Sequence, residues 1–186
     1  MDLRDLSLVF LVLFAVFAFF DGIVLHLWKY KLYRFKDTIY EHKLHTVRAI
    51  IFPIILIGFF QYELTGLLYL IVVLLGSLDW IIQILDMWEE KNARTRFGGL
   101  SSLEYILHVT LTSLHTSMFL LYLISKQDGS LSFQITEIQV AHQNFHFVAM
   151  NLLPGAIFVA LLHIGLCHPY FRDTENFSGT QVKLEN

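Results

Sequence analysis

The chain has 186 residues, of which 55% are hydrophobic, 15% aromatic and only 16% charged, with a formal net charge of -3. Soluble globular domains carry about a quarter charged residues, so this composition, with a mean hydropathy of +0.57, excludes both an ordinary soluble enzyme and a disordered chain. With 13 Lys and Arg against 16 Asp and Glu there is no basic excess to hold nucleic acid, and a lone cysteine, Cys167, excludes an intrachain disulfide framework and a Cys-x-x-Cys metal knuckle.

Crossing the hydrocarbon core as a helix takes about 20 apolar residues. The pattern predicts one all-α domain over residues 1–186, a polytopic bundle of five transmembrane helices: 7–28, 46–60 with an amphipathic lead-in from Thr38, 66–88, 101–125 and 147–167. The first run is too long for a signal-peptide h-region and lacks a small-x-small cleavage pattern after it, so it reads as a retained helix. Pro53 and Pro154 fall inside spans, where neighbouring helices can satisfy the freed carbonyls. Between spans lie a basic, aromatic linker (29–37), a tight external turn (61–65), a joint ending in Gly98-Gly99, and the longest external loop (126–146); residues 169–186 read as a loosely ordered polar tail.

Basic residues set the expected orientation. Lys29, Lys31, Arg34, Lys36, Lys43, Arg48, Lys91, Arg94, Arg96, Arg172 and Lys183 fall on one side, and only Arg4 and Lys126 on the other. This split predicts an outside N-terminus and a cytoplasmic C-terminus in a cytoplasmic (inner) membrane. The bilayer is the first partner; the composition leaves open a homo-oligomer or a subunit of a membrane complex.

Ionisable residues inside spans are costly and read as functional by default. Asp21 and His26 fall in the first span, Glu41, His42, His45 and Arg48 at the start of the second, Asp79 and Asp86 with the polar Gln83 in the third, Glu104, His108 and His115 in the fourth, and His163 in the fifth. At about 1.5 Å per helical residue, all but His115 fall in the cytoplasmic half. Residues at i, i+4 and i+7 share a helix face, which groups Glu41, His45 and Arg48; Asp79, Gln83 and Asp86; and Glu104, His108 and His115. Asp21 and His26, five apart, fall about 140° apart on an α-helix and so point different ways.

Two segments share the form [ST]-x-x-E-x-x-x-H: Thr38 to His45 and Ser101 to His108. Each opens a helix and sets a carboxylate and an imidazole one turn apart on one face, spacing that suits two ligands of one ion or a ligand and its supporting partner. [ST]-x-x-E is equally a capping box, which gives Glu41 and Glu104 a local role. Asp79 and Arg48 can form an ion pair between spans two and three, and His42 and His168 read as interfacial side chains with wet tips. His142 and His146 read as loop residues. The Glu-x-x-x-His spacing differs from the Glu-x-x-His of di-iron carboxylate bundles, and the clustered histidine boxes of membrane desaturases are missing.

Uncompensated, such a layer would be unstable in hydrocarbon. The sequence therefore predicts a shared cation, with Glu104, His108, Asp79, His45, Asp21 and His163 as metal ligands and Arg48, Glu41, Asp86, His26 and His115 as supporting or substrate-orienting groups. Oxygen and nitrogen donors suit zinc, iron or manganese. The expectation is a metal-dependent enzyme that activates water or dioxygen against a lipid-like or membrane-soluble substrate. The alternatives are haem ligation by His26, His108 and His163 in electron transfer, ion or proton transport along the Glu104 to His115 stripe, and an accessory subunit without chemistry.

Overall fold

The structure is a computed structural model that describes residues 2–126 and 138–173. The middle of the expected external loop and the polar tail beyond Asp173 lie outside the described residues. Among the described residues, five helices are long and apolar enough to cross a membrane: α1 (Leu3–Lys29), α2 (Ile39–Gln61), α3 (Gly66–Ala93), α4 (Ser102–Ser125) and α5 (Gln143–Leu166). An all-α bundle is what the apolar periodicity predicts. A departure among the described residues is a short antiparallel pair, β1 (Tyr62–Leu64) with β2 (Ile138–Val140), where the sequence predicts a tight turn before α3. It ties the connection after α2 to the segment leading into α5.

Local chemistry sets the helix ends. Asp2 and Asp5 form a reciprocal capping box, so α1 starts earlier than hydropathy alone predicts. Ser101 and Glu104 form another at the start of α4. Thr38 does not cap α2; its hydroxyl donates instead to the Leu32 carbonyl at 2.5 Å, which fastens the linker to the helix and leaves Glu41 free of a capping duty. Lys31 takes the left-handed conformation (φ 50°) where the linker turns back toward the bundle.

The last part of α1, Phe20–Lys29, is π-helical, as is the end of α2, Leu56–Gln61. This corrects the expected facing of Asp21 and His26. Hydrogen bonding of i→i+5 type brings residues five apart onto one side, and the His26 Nε2 to Asp21 Oδ1 distance is 3.5 Å.

α1 packs along α4, and α2 packs along both α3 and α5, whereas α1 and α5 barely meet. One half of the bundle holds an aromatic core, in which Leu11, Leu56, Phe59, Phe60, Met118 and Tyr122 are fully buried. Ser7 donates to the Met118 carbonyl at 3.0 Å across α1 and α4. The opposite half, built from the C-terminal ends of α1, α3 and α5 and the starts of α2 and α4, holds most of the buried polar residues. Outward-facing side chains are apolar along the helices, as lipid contact requires: Val16, Leu74, Ile81, Ile124 and Phe158 are all exposed.

Candidate metal centre

Four helices build the centre, with α3 bringing Asp86. The π-turn of α1 supplies Asp21 and His26, the first turns of α2 supply Glu41 and His45, and α4 supplies His108 one turn after Glu104. Asp21, His26, His45 and His108 are all buried, and each offers one donor atom such that the four atoms lie within 4.8 Å of one another. A second set, Glu41, His45 and Asp86, meets the same condition and shares His45 with the first. His108 Nε2 is 3.4 Å from Asp21 Oδ1. Ligands at zinc-like bond lengths of about 2.0–2.1 Å stand about 3.3–3.4 Å apart around a tetrahedron, so these separations fit a common ion.

The donor atoms are short of partners. Asp21 Oδ1, Glu41 Oε1, Asp86 Oδ1, His45 Nε2 and both ring nitrogens of His108 are buried without a hydrogen bond. His45 Nε2 comes within 2.9 Å of Asp86 Oδ2, and His108 Nδ1 within 2.8 Å of Glu90 Oε1, yet neither approach is aligned as a hydrogen bond. Buried polar atoms are almost always satisfied, so this many orphans in one place marks the site. His108 has one nitrogen toward Asp21 and the other toward Glu90, the carboxylate–histidine arrangement that orients metal-binding imidazoles.

Arg94 corrects the expected charge balance. The sequence places it in a polar loop, but its side chain is fully buried. It donates through Nη1 to Glu41 Oε2 (2.8 Å) and through Nε to Glu104 Oε1 (2.6 Å), and Nη2 lies 3.0 Å from His26 Nε2. A guanidinium only donates, so His26 Nε2 accepts there and is the member of the four most engaged elsewhere. Burial alone would pull the Arg94 pKa down; the carboxylates of Glu41 and Glu104 outweigh it and hold it above the ordinary value. Glu104 completes its bonds with the Tyr30 hydroxyl (2.7 Å) and Ser101. Burial first, then Glu104, raises the Tyr30 pKa and keeps that hydroxyl protonated.

The remaining predicted residues lie around this centre. Arg48 bridges Asp79 and Asp86 at 3.4 Å each. Asp79 also meets His115 Nε2 at 3.3 Å, and His115 Nδ1 pairs with Gln83 at 2.9 Å, one layer toward the aromatic core. His163 is buried beside the centre, its ring stacked on His42 with centroids 5.2 Å apart. So Asp21, His45 and His108 converge, while Glu104, Asp79 and His163 hold partners of their own or flank the set. His42 corrects another expectation: it is fully buried, not wet. His168 is exposed.

Glu90 and Arg94 were not predicted as part of the site. Their signal lies in the spacing: Asp79, Gln83, Asp86, Glu90 and Arg94 follow one another at three or four residues along one face. The stripe therefore runs past the point where hydropathy ends the span.

Among the described residues, six buried carboxylates (Asp21, Glu41, Asp79, Asp86, Glu90 and Glu104) face two guanidiniums, those of Arg94 and the half-buried Arg48. With neutral imidazoles this leaves four surplus negative charges. No known protein family, curated protein or solved structure matches the chain.

Proposed function

We propose that this chain is a membrane metalloprotein whose buried centre holds a divalent transition-metal ion through Asp21, His45 and His108, with His26 completing the set, and that it serves as a metal-dependent enzyme acting on a membrane-soluble substrate. The observation that carries this reading is the convergence of those four donors, buried, within 4.8 Å and largely unpaired. The charge surplus supports it, because a dication offsets half of what the two arginines leave. Imidazole and carboxylate donors suit zinc, iron or manganese. A bound ion of this kind supplies Lewis acidity and lowers the pKa of a coordinated water. The chain supplies the rest: Glu90 fixes the His108 ring, Arg94 anchors Glu41, and Arg48 offers a donor to a substrate oxygen.

Haem ligation is disfavoured by packing. The Asp21 carboxylate stands 3.5 Å from His26 Nε2 and 3.4 Å from His108 Nε2, and the His45 ring meets that of His26 with centroids 3.9 Å apart, which leaves no slot for a macrocycle between His26 and His108. A transport path is disfavoured by the buried Phe59, Phe60, Met118 and Tyr122 beyond the polar half. We further propose that the polar half faces the cytoplasm, with the N-terminus outside and the C-terminus inside a cytoplasmic membrane.

Elemental analysis of detergent-purified protein tests the centre. Near-stoichiometric zinc, iron or manganese is expected in the wild type and in Glu104→Gln, and background levels in His45→Ala/His108→Ala. Negligible metal in the wild type, or unchanged metal in the double variant, overturns the assignment.

A further inference from the structure

One dication offsets half of the four surplus negative charges in the polar layer, and charge left over in a low-dielectric interior is costly. Two carboxylates show where the remainder collects. Glu41 and Asp86 are each anchored through one oxygen and bare at the other. Glu41 Oε2 accepts from Arg94 at 2.8 Å, and Asp86 Oδ2 faces His45 Nε2 at 2.9 Å and Arg48 Nη1 at 3.4 Å. Glu41 Oε1 and Asp86 Oδ1 are buried without a hydrogen bond, on side chains 1% and 4% exposed. His26 Nε2 stands 3.6 Å from Glu41 Oε1, beyond hydrogen-bond reach. Together with His45, these two residues offer three donor atoms within 4.8 Å of one another.

We propose that Glu41, Asp86 and His45 form a second divalent-cation site, so that the polar layer holds two ions side by side. This rests on the metal-centre reading above and goes beyond it in the number of ions. Two dications match the surplus of four charges. An imidazole nitrogen has one lone pair and serves one ion at a time, so the two positions share His45 by competition. A lone first ion takes it. When the second ion takes it instead, Asp21, His26 and His108 remain on the first, and three protein ligands leave an open place for water, as in catalytic zinc sites. Arg94 and Arg48 set positive charge against Glu41 and Asp86, which makes the second ion the weaker one. A cavity of about 470 Å³ among α1, α2 and α5 is lined by Asp21 and His45 but not by Glu41 or Asp86. Open space therefore adjoins the first position, and the second is enclosed. Substrate meets the first ion, while the second fixes the His45 ring and adds a charge that favours the ionised form of a water on its neighbour.

The test uses the full chain in detergent, stripped with a chelator and titrated with Mn(II), the free ion being followed by its paramagnetic resonance signal. Two ions per chain are expected, the second roughly tenfold weaker because of the facing guanidiniums. At full loading the bound signal is expected to show spin coupling, because paired metal sites stand about 3.5–4 Å apart. Glu41→Gln and Asp86→Asn keep side-chain shape and lie in separate ion pairs, on Arg94 and on Arg48. Each is expected to bind one ion at close to the first affinity of the wild type, with the coupling gone. A wild type that binds one ion overturns the second site and leaves the first, and one that binds none overturns both. Two ions without spin coupling put the second elsewhere on the chain and overturn the proposal, as do two ions retained by both variants. Loss of both ions in either variant, with helix content unchanged, reveals a single shared site and overturns the division into two.

Discussion

Arg94 stands where two lines of charge meet. It is fully buried and engages Glu41 and Glu104, whose side chains are each 1% exposed, so its removal strands two carboxylates in a low-dielectric interior. Breaking a buried ion pair by deleting one partner costs about 3–5 kcal/mol. Arg94→Met is therefore expected to lower the thermal unfolding midpoint in detergent sharply, whether or not metal is supplied. Arg94→Lys is expected to recover little, because one ammonium cannot reproduce the forked donors that reach Glu41, Glu104 and His26 at once. A midpoint within a degree or two of wild type for Arg94→Met would show that these carboxylates are neutral or otherwise paired. The role of Arg94 was hidden in the sequence by a sound rule misapplied. The orientation count groups Arg94 with the other loop Lys and Arg, which suits the exposed Lys91 and Arg96 but not a residue that continues the polar face of α3.

At the level of elements, two π-helical stretches decide what faces what. In α1 the wider turn puts Asp21 and His26 side by side; a standard helical wheel separates them, and nothing in the local sequence signals the change. Twin [ST]-x-x-E segments look equivalent on paper, but only Ser101 closes a capping box. Thr38 bonds backward into the linker, which frees Glu41 for Arg94. The five spans and their polar faces were therefore legible, because burial in lipid writes them into hydropathy and into three- and four-residue spacing. The register within the faces was not legible, because it depends on backbone winding and on tertiary partners. Close packing gives a further prediction. A Cβ at Gly58, in the π-helical end of α2, would come within 2.5 Å of Val72 on α3. Valine is stiff about χ1 and cannot swing away. Gly58→Ala is expected to destabilise by about 1–3 kcal/mol, as overpacking does, and Gly58→Ala/Val72→Ala to recover most of the loss in the same unfolding assay.

Among the described residues, polarity is divided between two halves, and the proposed orientation and chemistry both rest on that division. Arg34 pairs with Asp173 and Arg96 with Asp37, so the basic linker, the α3–α4 joint and the start of the tail gather at the polar end, while Arg4 and Lys126 meet on Glu63 at the other. A fluorescent reporter fused to the C-terminus is expected to mature in the cytoplasm, and a periplasmic or extracellular reporter there to stay silent; the reverse result inverts the orientation. The surplus of negative charge at the polar end makes a sharper prediction, because it sets apo and metal-bound protein against each other. Without metal, Asp21 is a buried carboxylate in a layer with surplus negative charge, and its Oδ1 stands 3.5 Å from His26 and 3.4 Å from His108 without a hydrogen bond. Asp21→Asn removes a charge with little change in shape, so it is expected to raise the unfolding midpoint of chelator-treated protein. With metal, the proposed centre makes the same carboxylate a ligand, and binding would stabilise the native state by about 2.7 kcal/mol when the free ion is at a hundred times its dissociation constant. Wild type is therefore expected to gain stability on addition of zinc or manganese, and Asp21→Asn to gain much less, so the order of the two proteins reverses between chelator and metal. An ion-pair network that needs no cation would give the same order under both conditions.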